Sequence, residues 1–272
     1  MLSRRILVVL NLLILVACST VEKQHRTVYS NNVEPDSTIN NQQVYHGSVL
    51  RVATLNLAHG RKDNFNQLFV GKKSHQQYLN DIVDVLKQYK PHVVALQEAD
   101  AASRWSGNFD HVAYLASGAE YPWRTHASNT ENWLFSYGTA LLSGVPLIES
   151  IQLTLESCAC SRDPGEKCGL VLAQIEWPFA DKDSSRIIGI ISVHLDFSRK
   201  SVRDRQINEI MELLSARNNP TIIMGDFNSE WLAEAAFIKE LATNGHFITH
   251  EPDADNYNTY EDRRLDLSLI HI

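Results

Sequence analysis

The sequence contains no run of Lys or Arg that would form a basic patch. With a formal net charge of −7, this excludes a general electrostatic hold on long polyanions. Nucleic acid would have to be met at a local site or through a bound cation. No apolar run is long enough to span a bilayer as a mature helix. No internal repeat occurs, and no linker interrupts residues 48–272, so that stretch reads as one domain. Cysteine is scarce, with four in 272 residues. What is present is ordinary for a globular protein: 44% hydrophobic and 21% charged residues, enough for a sizeable core.

The N-terminus stands apart from that domain. Arg4 and Arg5 precede an apolar stretch over residues 6–16, broken only by Asn11 and ending in small residues. Residues 1–17 therefore read as a cleaved signal peptide. Leu15-Val16-Ala17-Cys18 resembles the bacterial lipobox, which implies lipid on the thiol of Cys18 and a protein anchored to a membrane of the cell envelope, facing the periplasm or the exterior. The alternative is a plain signal peptide with an incidental cysteine. Residues 18–47, rich in Asn, Gln, Ser and Thr, read as a flexible tether. Cys158, Cys160 and Cys168 remain. In an oxidising compartment Cys158 or Cys160 can pair with Cys168. A zinc site would lack an obvious fourth ligand.

Strands are expected over residues 49–57, 92–96, 137–143, 147–155, 170–177, 186–195, 221–224 and 264–270, from apolar runs bounded by turn residues. Helices are expected over 74–89, 201–216 and 232–241. In the first, Tyr78, Ile82, Val85, Leu86 and Tyr89 supply the apolar face; in the second, Ser201 is the candidate N-cap. Hairpin-like neighbours mixed with strand–helix–strand units point to a layered α/β (α+β) sandwich.

Polar residues end several of these strands. Asn56 follows Val52-Ala53-Thr54-Leu55, and Glu98 follows Val93-Val94-Ala95-Leu96-Gln97. His194 follows Ile190-Ile191-Ser192-Val193, and Asp226 and Asn228 follow Ile222-Ile223-Met224-Gly225. Asp266 sits near the start of the last strand. Singly, each is explained by a turn, a solvated strand end or a satisfied core histidine. Together they make an oxygen-rich set suited to a hard cation such as Mg²⁺.

Six motifs then stand in a telling order: Thr54-Leu55-Asn56, Leu96-Gln97-Glu98, Gly138-Thr139-Ala140-Leu141-Leu142-Ser143, Ser192-Val193-His194-Leu195-Asp196, Gly225-Asp226-Phe227-Asn228 and Arg264-Leu265-Asp266. The sequence resembles the endonuclease/exonuclease/phosphatase superfamily over roughly residues 49–272. The resemblance implies a four-layered sandwich: two mixed β-sheets face to face, helices on both outer sides, and a site at one edge. It implies a monomeric hydrolase of phosphate esters using Mg²⁺ or Mn²⁺. Glu98 would bind the metal, with Asn56 beside it on the metal or the phosphate. Asp226 would orient or activate water, and Asn228 would donate to phosphoryl oxygens. His194 would bind phosphate or donate a proton, and Asp266 would be the acidic partner of a second histidine.

The family pattern continues beyond the position of Asp266 to a strand carrying Ser-Asp-His, whereas this sequence ends at Ile272. That reads as a shortened product lacking its final Asp-His strand. Low activity is the expectation for the polypeptide as it stands. The competing class is a surface protein that keeps the scaffold without the reaction. The substrate stays open among nucleic acid, phospholipid head groups and soluble phosphate esters. Loops at residues 60–73, 101–108 and 157–169 are candidate specificity determinants. Trp105, Trp123 and Trp133 could stack on a base, meet lipid or simply pack.

Overall fold

The structure, a computed structural model, describes residues 29–31, 49–62, 70–131, 133–155, 168–178, 184–229, 237–249 and 266–271. Cys18, the tether apart from residues 29–31, and Cys158 and Cys160 lie outside them, and so does the expected cysteine pairing.

Two sheets form the centre. Strands β1 (Tyr29–Asn31), β6 (Leu147–Thr154), β7 (Gly169–Pro178), β8 (Ser185–His194), β9 (Thr221–Asp226), β10 (Phe247–Thr249) and β11 (Asp266–His271) make one, in the order β1-β6-β7-β8-β9-β11-β10. Strands β2 (Val52–Asn56), β3 (Val93–Asp100), β4 (Trp123–Glu131) and β5 (Ser136–Ser143) make the other, in the order β2-β3-β5-β4. Both are mixed: β2 runs parallel to β3 and β8 parallel to β9, while the other pairings are antiparallel.

The continuous apolar runs of β3 and β9 follow from burial on both faces. Alternate side chains face opposite ways along a strand. Val93 and Ala95 therefore join Leu141, Val171, Ile190, Ile222 and Met224 between the sheets. Val94 and Leu96 face outward, against α1 (Lys72–Tyr89) and α2 (His111–Gly118). On the far side, Ile191, Val193 and Ile223 pack against α3 (Lys200–Ser215) and α4 (Phe237–Asn244). The result is the expected four layers, helix, sheet, sheet, helix. No helix among the described residues is long and apolar enough to cross a membrane.

Three local expectations change. The buried face of α1 is His75, Leu79, Val83 and Leu86, whereas Val85 is 51% and Tyr89 67% exposed. This i, i+4, i+8, i+11 row is masked in the sequence by its histidine, which does not register as apolar. Leu79→Ala is thus expected to cost about 2–4 kcal/mol in urea unfolding, and Val85→Ala less than about 0.5. Equal midpoints for the two variants would restore the original face. At α3 the N-cap position is Arg199, not Ser201, with no side-chain cap of its own. Asp196 just upstream accepts the amides of Ser198 and Arg199 instead, at 2.9 and 2.6 Å. The third helix expected at 232–241 is described over Phe237–Asn244. Elements β4 and α2 have no forecast: β4 carries Arg124, His126, Ser128, Asn129 and Thr130 on a mostly covered strand, and α2 has only eight residues.

Candidate active site

Because β2 and β3 are parallel, and β8 and β9 also, each pair ends on the same side. Asn56 lies opposite Gln97, next to Glu98, and His194 lies opposite Asp226. The two pairs then meet across the interface between the sheets. Asn56 Nδ2 donates to Glu98 Oε1 and to Asp226 Oδ2, both at 3.1 Å. Its Oδ1 accepts the amide of Ala58 at 2.9 Å, which fixes the orientation of the carboxamide. His194 Nε2 stands 3.8 Å from Asp226 Oδ2. Asp226 Oδ1 takes the amide of Asn228 at 2.9 Å, and Asn228 Nδ2 donates to the Leu195 carbonyl at 2.9 Å. Five of the six residues singled out from the sequence thus form one cluster. For Asp266 the structure gives backbone register, opposite Asp226 in the β9–β11 pairing.

A buried polar lock holds the two sheets in this register. Gln97 Nε2 donates to Ser192 Oγ at 3.0 Å, Ser192 Oγ donates to the Leu96 carbonyl at 2.9 Å, and Thr54 Oγ1 donates to Gln97 Oε1 at 3.2 Å. Glu98 itself sits at φ 47°, where the pairing of β3 with β5 slips between Leu96 and Ala99. Bulges of this kind re-aim side chains next to functional sites. Asn228 also has positive φ, at 49°.

The sequence reading missed the neighbours of Glu98. His59 Nε2 lies 3.3 Å from Glu98 Oε2, and His59 Nδ1 lies 3.0 Å from Asp100 Oδ2. Asp100 is fully buried, as is His111, whose Nδ1 is 3.8 Å from the same Asp100 oxygen. The available signal was spacing. Glu98 and Asp100 are two apart on a strand, and His59 follows Asn56 by three. His194 also borders a shallow cleft lined in part by Asn129, Tyr137, Thr139, Cys168 and Phe197. Of the tryptophans, Trp105 meets the rings of His59 and Phe135, Trp123 packs on the core between the sheets, and Trp133 is 80% exposed.

Electrostatics follow the geometry. Burial pushes the Glu98 carboxyl up, but the charges of His59 and His194, the Asn56 hydrogen bond and Arg61 outweigh it and leave the pKa lowered from 4.5. Burial likewise opposes protonation of His59. The Asp100 hydrogen bond and the charges of Asp100 and Glu98 prevail, and its pKa is raised from 6.5. Burial lowers His75, His92, His111 and His126 from 6.5.

These directions set the pH dependence of stability. A histidine lowered in the native state contributes stability above about pH 6.5 and loses it as pH falls through its native pKa. Glu98 contributes above 4.5 and loses likewise on acidification. His59 acts oppositely, with its contribution complete below 6.5 and lost as pH rises through its native value. Four lowered histidines against one raised predict a metal-free melting temperature that falls between pH 7 and pH 5. A scan showing it flat or rising over that interval would contradict the burial of these imidazoles.

The donor set fits a hard divalent cation. Oxygens from Glu98 and Asp226 converge on one amide from two sheets, and the carbonyl of Asn56 keeps a second lone pair. Among the described residues no three His, Cys, Asp or Glu side chains are gathered into a cage. Mg²⁺ ordinarily keeps several waters and takes one or two carboxylates plus substrate phosphate.

The comparisons concern the family and the fold. A family model described as the Endonuclease/Exonuclease/phosphatase family matches residues 53–266. No curated protein matches the chain at a significant level. Among solved structures, a mannosyl-6-phosphatase of Bacteroides thetaiotaomicron is similar at 14% identity and TM-score 0.54, over 82% of this chain and 85% of that one. Sphingomyelinase C from Streptomyces griseocarneus is similar at 15% identity and TM-score 0.55, over 82% and 83%. A beta toxin mutant of Staphylococcus aureus with bound magnesium ions is similar at 20% identity and TM-score 0.51, over 76% and 81%. At these identities the likeness is one of fold.

Proposed function

Since the chain belongs to the Endonuclease/Exonuclease/phosphatase family, we propose that it is a divalent-metal-dependent hydrolase of phosphate esters, acting on phosphodiesters by attack of water. One observation carries the proposal: the Asn56 carboxamide binds Glu98 and Asp226 at once, joining the ends of both sheets into one oxygen-rich site beside His194. The magnesium ions of the beta toxin structure and the substrates named by the phosphatase and the sphingomyelinase support the same chemistry.

A bound Mg²⁺ or Mn²⁺ would supply charge neutralisation at the phosphoryl oxygens and the leaving oxygen. Glu98, with Asn56 beside it, would hold it. Asp226 has both oxygens positioned, Oδ1 by the Asn228 amide and Oδ2 by Asn56, so its carboxylate is aimed before substrate arrives. An aimed carboxylate can orient a water and take its proton. His194, half-buried at the rim of the cleft, can donate to a phosphoryl oxygen. Asn228 spends one amide hydrogen on Leu195 and keeps the other for the same task. Preorganised donors of this kind stabilise charge as it moves in the transition state. We assign Asp266 to the same site through its place opposite Asp226.

The substrate class is best settled by a panel. DNA, RNA, sphingomyelin, inositol phosphates and bis(4-nitrophenyl) phosphate would be incubated with the protein, with Mg²⁺ or Mn²⁺ and with EDTA. Metal-dependent hydrolysis of at least one diester, however slow, is the expected result. Turnover that survives EDTA would overturn the proposal. No metal response in turnover or in melting temperature would favour a non-catalytic surface protein.

We propose further that Cys18 carries the lipid that anchors the protein to the cell envelope, supported by Arg4, Arg5, the apolar stretch and Leu15-Val16-Ala17-Cys18. Cys18→Ala is expected to abolish palmitate labelling and to release the protein from the membrane fraction. Unchanged labelling would remove the assignment.

A further inference from the structure

The histidines beside β3 do not behave alike. His75 bonds the Gly60 carbonyl at 2.9 Å, His111 the Ser106 carbonyl at 3.0 Å and His126 the Ala99 carbonyl at 3.0 Å. Such backbone contacts are how buried imidazoles are ordinarily satisfied. Both ring nitrogens of His59 instead face carboxylates, Asp100 Oδ2 at 3.0 Å and Glu98 Oε2 at 3.3 Å.

The backbone is bent to make this arrangement. Ala58, His59 and Gly60 all have positive φ, at 45°, 56° and 64°. For residues with a Cβ this conformation is unfavourable and persists only where surrounding contacts enforce it. Here the turn is pinned by Asn56 Oδ1 on the Ala58 amide at 2.9 Å and by Gly60 N–H on the Leu57 carbonyl at 2.8 Å. The ring is held edge-on to Tyr137, with centroids 4.7 Å apart. Asp100 is fully buried, and its Oδ1 has no hydrogen-bond partner among the described residues. Burying a carboxylate is costly, and an apolar residue would serve packing as well or better. The shortest contact to its carboxylate is from His59, at 3.0 Å, with His111 Nδ1 farther off at 3.8 Å.

We infer that His59, braced by Asp100, is a positioning residue for Glu98: it fixes Oε2 while Asn56 fixes Oε1, so that Glu98 is presented to the cation in a single orientation. The inference rests on Glu98 being a cation ligand, as proposed above. The segment from Asn56 to Gly60 thus clamps both oxygens of Glu98 from one side. Partners of this kind to a ligating carboxylate commonly contribute about 10- to 100-fold in metal affinity.

Two variants separate positioning from simple support of the turn. In H59N the carboxamide stands in for Nδ1, keeps Asp100 and tolerates positive φ, but no longer reaches Glu98. In H59Q the amide stands in for Nε2 and reaches Glu98. Mn²⁺ affinity of the full-length protein would be measured by calorimetry, with circular dichroism to confirm folding. The expected result is a Kd raised about 10- to 100-fold in H59N and less in H59Q. Wild-type affinity in H59N, or a loss in H59Q equal to or greater than that in H59N, would overturn the positioning role alone. Failure of the wild-type protein to bind Mn²⁺ would overturn the reading of the site as a whole, and the inference with it.

Discussion

Glu98→Gln in the full-length protein is expected to lower kcat/KM for a phosphodiester by about a thousand-fold, and to abolish any rise in melting temperature on adding Mg²⁺ or Mn²⁺. The substitution preserves size, removes the charge and turns one of the two acceptor oxygens into a donor that faces Asn56 or His59. A thousand-fold corresponds to about 4 kcal/mol of transition-state stabilisation, within what a carboxylate-held divalent cation supplies to a phosphoryl group. The thermal response reads binding alone, because a ligand that binds only the folded state raises stability by RT ln(1 + [L]/Kd). Glu98 is the residue to change because three groups converge on it, Asn56, His59 and the charge of His194. If the variant kept the metal-dependent shift, the cation would have to be held elsewhere.

The second large effect is expected at Gly225, and it is structural. This residue has φ 149°, and a Cβ placed on it would lie 1.9 Å from the carbonyl oxygen of Val193, its neighbour on the parallel strand β8. No side-chain rotation relieves a clash with backbone, so β9 would have to move away from β8. Gly225→Ala should therefore cost at least about 3 kcal/mol, lowering the melting temperature by roughly 6–12 °C for a domain of this size. Asp226 is the next residue and pairs with His194 in the same register. The metal-dependent shift should shrink along with stability. An unchanged melting temperature would show that the β8–β9 spacing is not as described.

Where the sequence was legible, the reason was burial of whole strands. Runs such as Val93-Val94-Ala95-Leu96 and Ile222-Ile223-Met224 announce strands covered on both faces, and the polar residue ending each run is then conspicuous. Asn56, Glu98, His194, Asp226 and Asn228 were singled out in this way. The fold class followed from the alternation of such strands with helices and from the ordered motifs. Strand β4 escaped because its inward positions include Thr125, Asn129 and Thr130, which spend their polarity on hidden partners, as Asn129 Oδ1 does on the Thr139 amide at 3.2 Å. The face of α1 was misjudged for a related reason: buried His75 looks polar in a sequence and serves as core.

His59 and Asp100 were overlooked for a different reason. Their meaning depends on a left-handed turn at Ala58–Gly60 and on the slip in β3 pairing at Glu98, and neither leaves a periodic trace. A histidine beside a glycine in a loop resembles any turn residue. The two sheets must be assembled before Asn56 is seen to reach Asp226 across 170 residues of chain.

The site account reduces to a position for one ion. Crystals of the full-length protein soaked in Mn²⁺ and measured at a wavelength sensitive to manganese would locate it directly. The account predicts an anomalous peak bonded to a Glu98 oxygen and adjacent to Asn56 and Asp226, absent from Glu98→Gln crystals. A peak elsewhere in the molecule with none at Glu98, or the same peak in the variant, would contradict it.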